Sequence, residues 1–353
     1  YPAAVQLPVL NSFEKEEIKA AMPEVSIVMP VYNTKAEYLR EAVESILKQT
    51  FKDFEFLIID NGSEAYIERA LRKYKDTRIK YLKINKNQGQ AYARNYGIEK
   101  AKGTYVAFMD SDDVSLPERL EEQVKFLNEH IYIGCLGCTA EIIGDDAGGI
   151  CFYKLKEHFE IEFYLAFSGC AFCQSSVMIR KSILDRYGIR YRTEWIPAED
   201  YGLYVDLIGK TKFAMLSDVL VQYRFYFANT SHKYKRQQRE KNNIIQEIAL
   251  KKYCGIKTRN PDLLPNFVLG KRLSYDELRE LPLIIFALAD ILRRGGCSEK
   301  DIMYALRKRV KKIYYHTYSL KSQWALMFSP INKFLNLSFR WRLMCFITRG
   351  VFK

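Results

Sequence analysis

Residues 87–113 read NQGQAYARNYGIEKAKGTYVAFMDSDD. The spacing predicts a helix over 90–101, stopped at Gly103, where a glycine readily ends a helix. Residues 105–109 then form a short apolar strand that runs into Asp110. Asp110, Asp112 and Asp113 place three carboxylates within four residues, and such charges repel one another unless a cation sits between them. Their hard oxygens suit a hard divalent ion, which would also bridge a diphosphate. The competing reading is a helix-start cluster, because acids favour a first turn.

The same alternation continues outward. Upstream, VSIVMPV (Val25–Val31) is a buried strand closed by Tyr32-Asn33. Residues 35–49 carry Leu39, Val43, Ile46 and Leu47 at helical spacing. FEFLII (54–59) is a second strand, ending in Asp60-Asn61-Gly62; residues 63–74 are helical and 78–84 form a third strand. Beyond the acids, residues 116–129 make a fourth helix, with Pro117 in its first turn. Four strands alternating with four helices predict an α/β fold with a mostly parallel, doubly wound sheet. Ligands bind such sheets beyond the carboxyl ends of the strands. The polar residues Tyr32, Asn33, Asp60, Asn61, Asn87 and Asp110 to Asp113 fall there.

Past residue 131 the alternation fails. Strands are expected over 131–143, 176–180 and 212–225, and helices over 161–167 and 200–208. The last third reads as helices over 241–253, 274–293 (interrupted by Pro282), 298–315 and 332–347.

The composition, 48% hydrophobic and 27% charged, excludes a disordered chain. No GxGxxG follows the first strand, which disfavours a dinucleotide oxidoreductase. Neither a secretory signal nor an apolar run near the ~18 residues of a spanning helix is present. Eight cysteines without a signal predict a cytoplasmic protein with free thiols. Cys135-Leu-Gly-Cys138 and Cys170-Ala-Phe-Cys173 could spell a zinc site, but the first pair lies within a strand, and buried free cysteines are the better reading.

Four blocks carry a resemblance: VSIVMPVYN, ESILKQTFKDFEFLIIDNGS, the stretch quoted first, and PAEDYGLYVDLI. In this order they resemble the family 2 glycosyltransferases with the GT-A (Rossmann-like) fold, over residues 25 to about 208. The resemblance implies an inverting transfer of a sugar from a nucleotide-sugar donor, a UDP-sugar, to a saccharide or lipid-linked saccharide acceptor in surface-glycan synthesis. It implies a divalent metal, Mn2+ or Mg2+, at Asp110 and Asp112. It implies that Tyr32 stacks on the donor base and that Pro30, Asn33, Asp60, Asn61, Arg94 and Ser111 complete the donor site. Asn61 departs from the family's usual acid, so a charge-assisted bond to the uracil ring is lost while a carbonyl acceptor remains. Asp200, in AEDY, matches the family's catalytic base, with Glu199 the adjacent alternative. Trp195 is a candidate platform for the acceptor sugar. In the family a YR-x-H segment often follows; here Tyr223-Arg224 is present but Tyr226 takes the histidine position, and His232 behind it is a candidate metal ligand.

Residues 301–353 hold eleven Lys/Arg and one acid, Asp301, and so most of the net charge of +13. Phe334, Leu337, Trp341 and Met344 recur there at helical spacing beside Lys333, Arg340, Arg342 and Arg349. Such a helix suits an anionic bilayer, here the inner face of the cell membrane; packing on the domain is the competing reading. The expected organisation is an N-terminal arm or remnant (1–21), a catalytic domain (22–235, with a nucleotide-binding half 22–115 and an acceptor half 116–235) and a helical basic region (236–353). Two other classes compete: a non-catalytic nucleotide-sugar binder, against which Asp110, Asp112 and Asp200 argue, and a nucleic-acid-binding protein acting through its tail, for which no recognised fold is present, so no nucleic-acid partner is expected.

Overall fold

The computed structural model describes residues 22–145, 149–151, 155, 157–226, 234–254 and 273–294, with isolated positions at 263, 266–267, 299, 303–304, 306–307, 310 and 329. The chain divides into two compact units, Tyr1–Ile161 with Cys170–Gln238, and Glu162–Gly169 with Arg239–Lys353.

The first unit is built on a nine-stranded sheet. Its strands are β1 (Val25–Val31), β2 (Phe54–Asn61), β3 (Ile79–Ile84), β4 (Tyr105–Phe108), β5 (Val114–Ser115), β6 (Ile133–Gly144), β7 (Ile150–Cys151), β8 (Met178–Arg180) and β9 (Lys212–Phe225). The order is β3-β2-β1-β4-β8-β6-β9-β5, with β7 beside β6. The β3-β2-β1-β4 half is parallel, as the alternation predicts; β8 runs antiparallel to both β4 and β6, while β6 and β9 are parallel. The helices are α1 (Ala36–Leu47), α2 (Ala65–Leu71), α3 (Gln90–Lys100), α4 (Arg119–Glu129), α5 (His158–Phe167), α6 (Lys181–Arg186) and α7 (Glu199–Leu207).

Strands β1, β2 and β4 are buried along their whole length, so their sequences are mainly apolar without a regular alternation, with Ser26 and Glu55 as the buried polar exceptions before the strand ends. Val25, Ile27, Met29 and Val31 join Phe56, Ile58, Ala107 and the α1 residues Leu39, Val43 and Ile46 in one core. On the opposite face α3 comes close to β1 at Gly97, where a Cβ would stand 2.3 Å from Val28 Cγ1. Pro30 sits inside this buried strand without breaking it. Val28 C=O accepts the Met109 N–H, so the polar groups of Val28, and of the position two residues on, face β4. The β1–β4 ladder stops at Val28, so the donor that Pro30 lacks has no partner to lose.

Several boundaries differ from expectation for local reasons. The helix expected from 116 begins at Arg119, because Val114–Ser115 pairs with β9 and the Leu116 N–H donates to Leu220 C=O, which leaves Pro117 outside the helix. β6 starts at Ile133, since Ile131 and Tyr132 are exposed. Residues 174–176 form a 3-10 turn before β8.

In the second unit, α8 (Lys235–Cys254), which starts in the first, and α9 (Tyr275–Arg294) are the long helices. α9 runs through Pro282 without the expected interruption. Leu278 and Leu281 before the proline, and Ile284, Ile285 and Leu288 after it, are all buried, and this packing outweighs the ~3 kcal/mol that an interior proline costs. Of the helix expected over 298–315, the described positions 299, 303–304, 306–307 and 310 are helical; the helix expected over 332–347, the N-terminal arm 1–21 and His232 lie outside the described residues. No helix among the described residues is long and apolar enough to cross a membrane.

Candidate active site

β4 delivers Asp110 to the carboxyl edge of the sheet, and the next three residues are fixed by bonds from distant segments. The Asp110 N–H donates to Ser175 Oγ at 2.9 Å, and Ser175 in turn donates to Asp113 Oδ2. The Asp113 Oδ1 atom accepts the Arg224 N–H at 2.8 Å. Asp113 is completely buried, so it is the structural member of the acidic trio; burial, then Asp112 and Asp110, push its carboxyl well up. Ser111 is held by Thr34, with Oγ to Oγ1 2.6 Å. Ser175 was not legible as a site residue; a buried run of Gln174-Ser175-Ser176 directly before a strand was the available signal.

Asp110 and Asp112 are half-buried. One oxygen of each is taken: Asp110 Oδ1 by Arg94 at 2.7 Å and Asp112 Oδ2 by the Tyr226 hydroxyl at 2.9 Å. No second side chain among the described residues hydrogen-bonds either carboxylate. Burial, then the charge of Asp110, pushes the Asp112 carboxyl up to about 6. Two neighbouring carboxylates, each bonded to one other side chain only, are a donor set a hard divalent ion takes when phosphate oxygens and water complete its shell. The residues therefore fit such an ion, although no three His, Cys, Asp or Glu side chains among the described residues form a complete cage.

Arg94, on α3, is 3% exposed. Its second nitrogen reaches Glu199 Oε1 at 2.9 Å, so one guanidinium joins Asp110 to the first residue of α7. Burial works against its charge, but Asp110 and Glu199 outweigh burial and hold the group protonated. Asp200 follows Glu199 and is more exposed. Its carboxylate accepts the Tyr201 N–H at 2.7 Å, and burial, then Glu199, pushes its pKa up to about 6. Of the two adjacent acids, Glu199 is buried and bonded to Arg94, while Asp200 is the more exposed.

Trp195 is corrected. It is 6% exposed, its ring lies against Gly202 of α7, and Arg192 covers it at 4.4 Å from the ring. No open face is left for a sugar. Asp60 and Asn61 also turn inward. Asp60 takes the Ser63 N–H at 2.8 Å and the Tyr81 hydroxyl. The Asn61 amide gives both hydrogens, to Asn87 Oδ1 at 2.9 Å and Gly89 C=O at 3.2 Å, and its oxygen accepts the Gln88 N–H at 3.1 Å. These two residues build the wall between β2 and the loop before α3, rather than offering free groups to a base. Asn33 has a φ of 51°, a left-handed value asparagine tolerates, and ties β1 to the start of α2 through Ser63 and Glu64. Tyr32 beside it is 49% exposed, an open aromatic face at the sheet edge, while Pro30 is buried in β1.

Among the described residues the cysteine pairs do not assemble into a group of three or more metal-ligating side chains. Cys135, Cys138 and Cys173 are buried, and burial pushes the Cys138 thiol up to about 12.

The chain was compared with known proteins. The family model described as "Glycosyl transferase family 2" matches residues 26–188. An uncharacterized glycosyltransferase of Methanocaldococcus jannaschii is 35% identical over 212 residues, covering 57% of this chain and 71% of that one. The O-antigen biosynthesis glycosyltransferase WbnJ of Escherichia coli is 31% identical over 212 residues, covering 58% and 81%. Among solved structures, S. aureus TarS 1-349 in complex with UDP-GlcNAc superposes with a TM-score of 0.56 at 19% identity, over 82% of this chain and 88% of that one, a likeness of fold. A parallel half-sheet that ends in acids, matched in sequence along most of its first unit, makes this chain a member of glycosyltransferase family 2 with the GT-A fold.

Proposed function

We propose that the chain transfers a sugar, with inversion, from a nucleotide-sugar donor held at Asp110 and Asp112 to a saccharide hydroxyl deprotonated by Asp200. The observation that supports this reading is the Asp110–Arg94–Glu199 bridge, which links a donor-side acid to the residue before the partly buried Asp200. Asp200 takes the acceptor proton as the hydroxyl oxygen attacks the anomeric carbon; the bond from that carbon to the phosphate oxygen breaks, and the nucleoside diphosphate leaves. One base and one displacement invert the carbon. When bound, Mn2+ or Mg2+ would neutralise the charge building on that leaving group. Asp110 and Asp112 would hold the cation, and Tyr226 would orient Asp112.

Tyr32 supplies the surface on which the donor base stacks. A UDP-sugar is the donor we favour, the class seen bound to the TarS fold relative. A surface-glycan acceptor, saccharide or lipid-linked, agrees with the likeness to an O-antigen enzyme. The basic residues of 301–353 support peripheral attachment to an anionic membrane on its cytoplasmic face.

A panel of nucleotide sugars, followed by thermal stabilisation and released nucleotide, tests the reading. EDTA should abolish turnover and Mn2+ or Mg2+ restore it, while Asp112→Asn should weaken UDP binding mainly when metal is present. Full turnover in chelator would sink the metal assignment.

A further inference from the structure

Arg94 makes a demanding set of contacts. Its two terminal nitrogens each bond a carboxylate from a different segment, Asp110 after β4 and Glu199 at the start of α7. Its guanidinium carbon lies 5.4 Å from the centroid of the Tyr191 ring, which is itself buried. Its Nε is buried and has no hydrogen-bond partner among the described residues. A buried donor left bare costs stability, and an arginine kept only for packing would be expected to satisfy it. The planar fork is instead spent on reaching two acids at once, a geometry that a lysine cannot reproduce.

A second link crosses the same seam. Asn95, the next residue, clamps Tyr191 through both backbone groups: Asn95 Nδ2 to Tyr191 C=O at 2.8 Å, and the Tyr191 N–H to Asn95 Oδ1 at 2.8 Å. The segment leading to α7 is thus already fixed to α3 without Arg94. What Arg94 adds is the tie to Asp110, and through Glu199 the placing of the first turn of α7, where Asp200 stands.

We propose that Arg94 is a positioning residue that sets the spacing between the donor-side Asp110 and the base-bearing start of α7, acting through Asp110 and Glu199. It rests on the assignment of Asp110 and Asp200 made above. It makes a specific division of labour: Asn95 holds the seam, and Arg94 holds the reacting groups in register.

Four full-length variants test it, with kcat and KM measured on the nucleotide sugar turned over fastest in the panel, alongside Mn2+ binding and Tm. Arg94→Lys keeps the charge but spans one acid at a time. It should lower kcat about 10²-fold, the effect of displacing reacting groups by about 1 Å, with donor KM unchanged. Asn95→Ala breaks the neighbouring clamp; it should lower Tm and leave kcat where it was. The double variant Arg94→Met/Glu199→Met removes both buried charges of the α7 arm. It should recover the Tm lost in Arg94→Met alone, because apolar replacements of a buried ion pair are well tolerated, yet stay slow. This double variant also decides the matter if Arg94→Lys does not fold. Recovery of kcat in the double variant, or an Asn95→Ala enzyme as slow as Arg94→Lys, would reduce Arg94 to a strut and overturn the inference. Failure of the underlying reading looks different: Asp112→Asn and Asp200→Asn would then both turn over normally.

Discussion

Gly202 stands in the middle of α7, two residues after Asp200, and faces Trp195. A methyl group there would lie 1.7 Å from Trp195 Cε3, 2.3 Å from Cζ3 and 2.7 Å from Cδ2. Carbon atoms rest at about 3.5 Å or more, so Gly202→Ala must open this contact by about 1.8 Å. Trp195 is 6% exposed and covered by Arg192, so the indole has little room to yield and the helix must shift instead. Alanine's better helix propensity favours the variant by about 1 kcal/mol, but overpacking of a filled core costs about 1–3 kcal/mol and should prevail. The movement falls on the turn that carries Asp200, and displacing a reacting group by about 1 Å costs about 10²-fold in rate. We expect Gly202→Ala to fold, to melt several degrees lower, to bind UDP and Mn2+ as before, and to transfer sugar about 10²-fold more slowly. Trp195→Leu in the same chain should restore part of the rate by making space. Urea unfolding, calorimetric UDP titration and single-turnover transfer read the three quantities separately. A Gly202→Ala enzyme with unchanged kcat would refute the argument that Trp195 supports the base helix, and would reopen Trp195 as an acceptor platform.

The pH dependence follows from Asp200. Its pKa is raised by burial and Glu199 to about 6, and only the ionised form can take a proton, so kcat/KM should rise with pH through about 6 and level off above it; a profile already flat at pH 5 would show that the base is not this carboxylate. Tyr226→Phe removes the hydroxyl that holds Asp112, and such supporting bonds are worth about 10–100-fold in metal affinity, so the Mn2+ concentration for half-maximal turnover should rise by that factor with little change in Tm. Removing residues 331–353 should weaken co-sedimentation with anionic liposomes and leave metal-dependent donor hydrolysis intact; a parallel fall in Tm and activity, without liposome binding by the full chain, would assign that segment to the fold.

The parallel half of the sheet was legible because strands buried on both faces leave short, mainly apolar runs, and Val25–Val31 and 54–59 are such runs. The position of Asp110 and Asp112 was legible for the same reason: polar residues at the carboxyl ends of parallel strands have one place to go. Side-chain direction was not legible. Asp60 and Asn61 occupy the right strand end, yet their bonds to Ser63, Tyr81 and residues 87–89 turn them inward, and those partners lie up to 28 residues away. Trp195 reads equally well as platform or core, and the space that makes it core is the missing side chain of Gly202, seven positions on. Arg94 was read as a donor contact because its two acids come from segments 16 and 105 residues distant, a juxtaposition no local pattern encodes.

The bonds that shape Asp110 to Asp113 have a further consequence, for the order in which the chain acquires its parts. Asp110 and Asp113 depend on Ser175, 65 and 62 residues later, and Asp113 also depends on Arg224, 111 residues later. Loops of that length close slowly, so β1 to β4 can associate while the acidic turn still lacks its anchors. During synthesis the nucleotide-facing half is made well before residue 224 emerges. Until β9 is laid down, Asp113 has no backbone donor from Arg224, and the turn has no fixed shape in which to present Asp110 and Asp112. A ribosome-bound chain halted short of β9 would therefore hold a half-sheet with the acids present but not yet arranged, and competence would arrive with the last strand of the unit.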